Sequence, residues 1–117
     1  ALAGGCLADE QITNYLLDQM SMTGGEDSFG IGAAAGVPAK WKGGWGPGTD
    51  GKYLVRQMGV MTVDGKDMVV SLAAIADEGT FESAQAMATE MATWATQNLG
   101  DDILKSVPCG PVAEPTS

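Results

Sequence analysis

Two segments rich in apolar and β-branched residues, Tyr53–Val63 and 67–76, flank a short polar turn in the second half of the chain. The turn contains Asp64-Gly65, a dipeptide that is strongly enriched in tight β-hairpins. A further segment, 37–45, precedes a turn of Gly, Pro and Asp at 46–51 and is also predicted to be a strand. The pattern therefore predicts a three-stranded antiparallel meander over residues 37–76.

Helical spacing of apolar residues predicts a helix before this meander, over residues 9–20, with Asp9 as its N-cap. The apolar stripe of this helix consists of Ile12, Leu16 and Met20, with Tyr15 beside it. Residues 22–36 contain many glycines and other small residues, so they are predicted to be a loop.

A second and longer helix is predicted over residues 80–99, capped by Thr80 and ended by Gly100. Its apolar stripe consists of Ala84, Met87, Ala88, Met91, Trp94, Ala95 and Leu99. Residues 106–117 are predicted to form an irregular tail because they contain three prolines. The predicted fold class is therefore α+β, a three-stranded antiparallel meander with N- and C-terminal helices.

The last predicted strand is apolar on both faces. Met68-Val69-Val70-Ser71-Leu72-Ala73-Ala74-Ile75 is nearly continuous in apolar residues, as in a strand that is covered on both faces and paired on both edges. In a three-stranded meander it would instead be an uncharged edge, which soluble proteins normally avoid. Another segment, another chain or a second copy is therefore predicted to pair with it.

Composition limits the chain to a small acidic domain. It has 117 residues, with 15 acidic and 6 basic side chains and a net charge of −9. Nucleic-acid phosphates and anionic membranes both attract clustered Lys and Arg, so neither is predicted as a partner. No membrane span is predicted either, because the longest strongly apolar stretch, 68–76, is far shorter than the ~20 residues that a spanning helix needs.

The absence of histidine excludes any mechanism that uses an imidazole as base, acid or metal ligand. With only two cysteines besides, a structural zinc site is not expected, and neither a metal nor a cofactor is predicted. Any catalysis would have to use Ser, Lys, Tyr, carboxylates or backbone donors.

The two cysteines, Cys6 and Cys109, lie near opposite ends of the chain. An even number of cysteines in an acidic chain favours a disulfide and therefore export, to the cell envelope or the extracellular space. The alternative is a pair of unpaired, buried thiols in a cytosolic protein.

One segment combines cations with glycines. In Lys40-Trp41-Lys42-Gly43-Gly44-Trp45-Gly46-Pro47-Gly48, lysines and exposed backbone N–H groups could present positive charge to an anionic substrate. In the alternative interpretation, Trp41 and Trp45 pack against the fold while the lysines are solvated.

This segment resembles the C-terminal part of the class A β-lactamase and penicillin-binding-protein family, and especially the exported β-lactamase-like serine hydrolases common in actinobacteria. The family has a Lys-Thr/Ser/Asn-Gly strand, often followed by Trp and a Gly-Pro-Gly turn, and then a strand similar to Val-Arg/Asn-Gln-Val-Gly. This chain has Lys42-Gly43-Gly44-Trp45-Gly46-Pro47-Gly48 and then Val55-Arg56-Gln57-Met58-Gly59. The resemblance covers roughly residues 9–100, so that 1–117 would be the C-terminal portion of one β-lactamase-like domain.

The resemblance implies a five-stranded sheet flanked by helices, in which the last strand pairs with a strand from an N-terminal region. It also implies a substrate-binding role for four residues. Lys42 would help to bind a substrate carboxylate, and Gly43 stands where a hydroxyl or amide residue is usual. Gly44 would let the substrate lie against the strand, and the N–H of Trp45 would be one of two oxyanion donors.

The nucleophile of the family lies in a Ser-x-x-Lys motif, and no serine of this chain is followed by Lys three residues later. Ser-Asp-Asn and Tyr-x-Asn are also absent, so no catalytic residue is predicted in this chain.

The predicted function is a non-catalytic structural or binding module in an exported or envelope-associated assembly. The alternative is the C-terminal piece of a split or cleaved serine hydrolase acting on β-lactams or peptidoglycan-type amides. The predicted partner is an N-terminal β-lactamase-like piece, or another chain, that pairs with strand 67–76.

Overall fold

The sheet is an antiparallel meander whose register is set by a two-residue turn. The computed structural model describes residues 1–21, 28–34, 36–99 and 109. Its strands are β1 (Ala39–Pro47), β2 (Tyr53–Val63) and β3 (Lys66–Ala74), in the order β1-β2-β3. Asp64 and Gly65 have φ values of 50° and 74°, as a type I′ turn requires, and the turn pairs Val63 with Lys66. The predicted meander is confirmed, although it is slightly shorter than 37–76.

Strand alternation gives the sheet a buried inner face. On β2 the inner face carries Val55, Met61 and Val63, and on β3 it carries Met68, Leu72 and Ala74, all of them buried. This regular alternation places the core entirely on one side of the sheet, where the C-terminal helix covers it.

Helix α2 (Phe81–Asn98) packs on the inner face through a row of alanines. Thr80 caps it as predicted, since its hydroxyl oxygen accepts a hydrogen bond from the N–H of Ser83 at 3.1 Å. The buried residues of the helix are Ala84, Ala88, Ala92 and Ala95. Small side chains at this spacing let the helix approach the sheet closely.

The predicted apolar stripe of α2 is only partly buried. Met87, Met91 and Trp94 remain 38%, 40% and 55% exposed. The stripe is wider than the surface that three strands offer, so the alanines occupy the sheet and the larger side chains lie beside β3, next to Val70 and Leu72.

A 3-10 helix, Gly30–Ala33, lies within the segment predicted to be a loop and fills the space between the sheet and α2. Phe29 and Ile31 are buried there. The Oε1 of Gln57 accepts a hydrogen bond from the N–H of Ile31 at 2.8 Å, and its Nε2 donates to the carbonyl of Phe29 at 2.9 Å. The N–H of Gly30 donates to Oγ1 of Thr89 on α2 at 2.8 Å. Strand β2, the 3-10 helix and α2 are thus joined by side chain–backbone hydrogen bonds.

Helix α1 (Glu10–Ser21) packs beside β1, where Nζ of Lys40 lies 3.1 Å from Oδ1 of Asp18. Asp9 caps the helix as predicted, accepting a hydrogen bond from the N–H of Ile12 at 2.9 Å. The predicted stripe is only partly buried, however: Met20 is half-buried, and the buried residue among the described side chains of α1 is Thr13. The apolar side chains left exposed on this helix are Ile12, Tyr15 and Leu16.

A disulfide joins Cys6 to Cys109, as predicted, and excludes the alternative of two unpaired thiols. A covalent link between the two ends of a chain is typical of proteins that fold in an oxidising compartment. Apart from Cys109, the tail predicted at 106–117 lies outside the described residues. No helix in the described ranges is long and apolar enough to cross a membrane.

We expect the disulfide to contribute substantially to stability, because it closes a loop with a sequence separation of 103. In the chain-entropy model, replacing Cys6 and Cys109 together by Ser lowers the free energy of unfolding by roughly 4–5 kcal/mol. Urea unfolding followed by circular dichroism measures the change. Adding a reductant should destabilise the natural chain and leave the double variant unaffected; equal unfolding midpoints for the two chains would contradict the prediction.

We also expect Gln57→Leu to be strongly destabilising. Leucine has a similar volume but leaves the N–H of Ile31 and the carbonyl of Phe29 without their partner, at a cost of about 2–4 kcal/mol. Gln97→Leu makes the same chemical change at an exposed position of α2 and should alter stability by less than about 0.5 kcal/mol. Similar effects of the two substitutions in thermal or urea unfolding would argue against the role assigned to Gln57.

Candidate functional site

The outer face of the sheet, opposite α2, carries the cationic residues of the motif segment. In the strand register Lys42 lies opposite Met58, and Met58 lies opposite Ser71. Two residues further along β1, on the same face, Gly44 lies opposite Arg56. These residues line an open concavity of about 470 Å³, which we call the outer concavity.

Two cations lie at the outer concavity without a carboxylate partner among the described residues. Lys42 and Arg56 are both exposed, and the ammonium of Lys42 donates to the carbonyl of Gly43. In the described ranges, Lys40 rather than Lys42 forms an ion pair, with Asp18. In a chain with a net charge of −9, this unbalanced pair of cations makes the outer concavity a local site for an anion.

The backbone of β1 is open from this side. A Cβ atom built at Gly44 or at Gly46 would meet no heavy atom within 4 Å, so neither glycine is required by close packing within the described part of the chain. Gly59 on β2 differs, because a Cβ there would lie 2.4 Å from the carbonyl oxygen of Lys40. The glycines of β1 therefore leave room for a molecule to approach the strand.

Trp45 lies on the inner face, away from Lys42. Its ring packs on Phe81 at the start of α2, with the ring centroids 4.6 Å apart. Trp41 also packs against the core, beside Gly32. The packing interpretation thus holds for Trp41, whereas Trp45 contacts Phe81 but stays 46% exposed; Lys42 is solvated and Lys40 forms an ion pair.

The backbone N–H of Trp45, unlike its side chain, is oriented in a way that bears on the predicted oxyanion role. The N–H of Thr62 donates to the carbonyl of Pro38 at 2.9 Å, which sets the alternation of the β1–β2 ladder. By that alternation, residues at even positions of β1 bond to β2, and the N–H of Trp45 points to the edge remote from β2. This direction is compatible with the oxyanion role that the resemblance implies, which stays a prediction.

Arg56 is the site residue that sequence reasoning did not single out as functional. The sequence does contain a signal for it. The Asp64-Gly65 turn fixes the register of β2 and β3, and the alternation of β2 then places Arg56 and Met58 on the face opposite the buried side chains. Which side of β1 carries Lys42 depends on its pairing with β2, and the Gly- and Pro-rich connection does not fix that pairing by its sequence.

Among the residues that the structure describes, no group of three or more potential metal-ligating side chains could hold a metal ion. Comparison with known proteins identifies no matching family model, no matching curated protein and no matching solved structure at the significance required. What the outer concavity can bind is therefore inferred from the residues that line it.

Proposed function

We propose that this chain is a non-catalytic binding module, derived from a β-lactamase-like domain, that holds a carboxylate-bearing ligand in its outer concavity. The observation that carries the proposal is the pair of cations, Lys42 and Arg56, without acidic partners in the described ranges. A carboxylate accepts charge-assisted hydrogen bonds from both types of side chain. Gly44 and Gly46 leave space for the remainder of the ligand along β1.

The residues present favour binding over catalysis. The chain has neither a Ser-x-x-Lys motif nor a histidine, so it contains no activated serine of the family type. Gly43 supplies no side-chain hydroxyl at the position where the family uses one to hold substrate. A disulfide between the two ends of the chain supports placing the module outside the cytoplasm, in an exported or envelope-associated assembly.

The second candidate function is the C-terminal piece of a split or cleaved serine hydrolase acting on β-lactams or peptidoglycan-type amides. The observation that favours it is that β3 is an edge strand in the described part of the chain, with the exposed side chains of Met87, Met91 and Trp94 beside it. An N-terminal piece that supplied a neighbouring strand would extend the sheet towards the five strands of the family. The same piece would have to supply the nucleophile.

We expect benzylpenicillin, used as a carboxylate probe, to bind reversibly and its methyl ester to bind more weakly, since the ester lacks the negative charge. Lys42→Ala and Arg56→Ala should each weaken binding of the acid by about three- to tenfold, as expected for exposed charge pairs. Lys66→Ala is the matched control, because Lys66 begins β3 at the hairpin turn and does not line the outer concavity. Nuclear magnetic resonance titration gives the affinities, and equal binding of acid and ester would contradict the proposal.

We expect no covalent labelling of the isolated chain by a fluorescent penicillin, because the chain contains no activated serine. If a partner chain completes a hydrolase, the label should appear on the partner's serine, and Lys42→Ala should reduce the rate of labelling. Gel fluorescence and mass spectrometry of the labelled band locate the adduct. A label attached to this chain would overturn the non-catalytic assignment.

A further inference from the structure

Strand β3 lies at the edge of the sheet that the described residues form, and this edge presents backbone groups in a fixed pattern. Val63 and Lys66 flank the two-residue turn and exchange hydrogen bonds, so bonding to β2 alternates along β3 from that point. Residues 67, 69, 71 and 73 consequently direct their N–H and C=O groups away from β2. Positions 69, 71 and 73 are uncharged, so this edge has little of the protection that charges or prolines usually give.

An apolar groove lies directly beside this edge. Val70 and Leu72 on β3 form one wall and Met87, Met91 and Trp94 on α2 form the other, around a volume of about 420 Å³. Adjacent strands lie about 4.8 Å apart, so a strand added to β3 would place every second side chain over this groove. The edge and the groove thus form one surface, which we call the β3–α2 surface.

The charges at the β3–α2 surface decide between possible occupants. Glu90 lines the groove, and α2 carries Glu82 and Glu90 with no Lys or Arg. Pairing β3 of two copies about a two-fold axis would bring two acidic helices together, on chains that each carry a net charge of −9. A second copy is therefore disfavoured, and a segment with positive charge is complementary.

We infer that the β3–α2 surface binds an extended segment of a different protein chain, apolar at alternate positions and carrying a Lys or Arg directed towards Glu90. The segment adds to β3 as a fourth strand, held by main-chain hydrogen bonds, and its apolar side chains fill the groove. This inference rests on the proposal that another chain pairs with this strand, and it specifies the chemistry of that chain.

Two synthetic peptides test the inference on the complete, disulfide-bonded chain. Each has nine residues alternating Val and Thr, and one Val is replaced by Lys in the first peptide and by Glu in the second. We expect the Lys peptide to bind about three- to fivefold more tightly, with chemical-shift changes at the amides of β3 and at Trp94. Equal affinities, shifts confined to other parts of the protein, or no binding by either peptide would overturn the inference.

Charge reversal at the groove gives the sharper test. Glu90→Lys should invert the preference, so that the Glu peptide becomes the tighter ligand. Glu82→Lys changes the net charge equally but lies in the first turn of α2, outside the groove, and should leave the preference for Lys intact. The same response to both variants would show that net charge alone attracts the peptide, and the inference would fail.

The edge is tested separately. Val69→Pro removes one outward N–H and should weaken binding at least about tenfold, whereas Val69→Thr keeps the N–H and should bind normally. Circular dichroism shows whether the proline variant folds; if it does not, the charge reversal at Glu90 still decides the question.

Formation of a dimer through β3 in sedimentation experiments would also overturn the inference. Binding of benzylpenicillin at the outer concavity reports on the proposed ligand site independently of all these results.

Discussion

The arrangement of the inner layer depends on the buried amide of Gln57. A buried amide is costly unless its donor and its acceptor are both satisfied, and here the backbone of residues 29 and 31 satisfies them. The contact also demands glycine at position 30, where φ is +58° and a Cβ would lie 2.1 Å from Oε1 of Gln57. Since the N–H of Gly30 reaches Thr89 as well, one short segment ties β2 to α2.

With the inner face covered in this way, two other surfaces carry side chains that lack complementary partners in the described ranges. On the outer face the cations Lys42 and Arg56 lack acidic partners in the described ranges, and beside β3 the large side chains of α2 lack apolar cover. The two surfaces differ in the charge around them, the first cationic and the second acidic. The proposed small carboxylate and the proposed basic strand are therefore complementary to differently charged surfaces of the same sheet.

The two functional interpretations share these surfaces and differ in what completes them. A binding module needs the outer concavity and can use the β3–α2 surface to join an assembly. A split hydrolase needs the same strand partner, which must in addition supply a reactive serine. The lack of a Ser-x-x-Lys motif and the presence of Gly43 favour the first interpretation, and the position of β3 at the edge of the described sheet is compatible with both.

Local signals determined much of the fold from the sequence alone. Asp64-Gly65 specified the hairpin, and Asp9 and Thr80 specified the helix starts, because each feature depends on neighbouring residues. The two cysteines favoured one disulfide, for which they are the only possible pair. Tertiary packing decided what depends on distant partners. It buried Gln57 against a segment 26 residues away, turned Trp45 onto Phe81, and left Trp94 exposed because three strands offer α2 room for its alanines only.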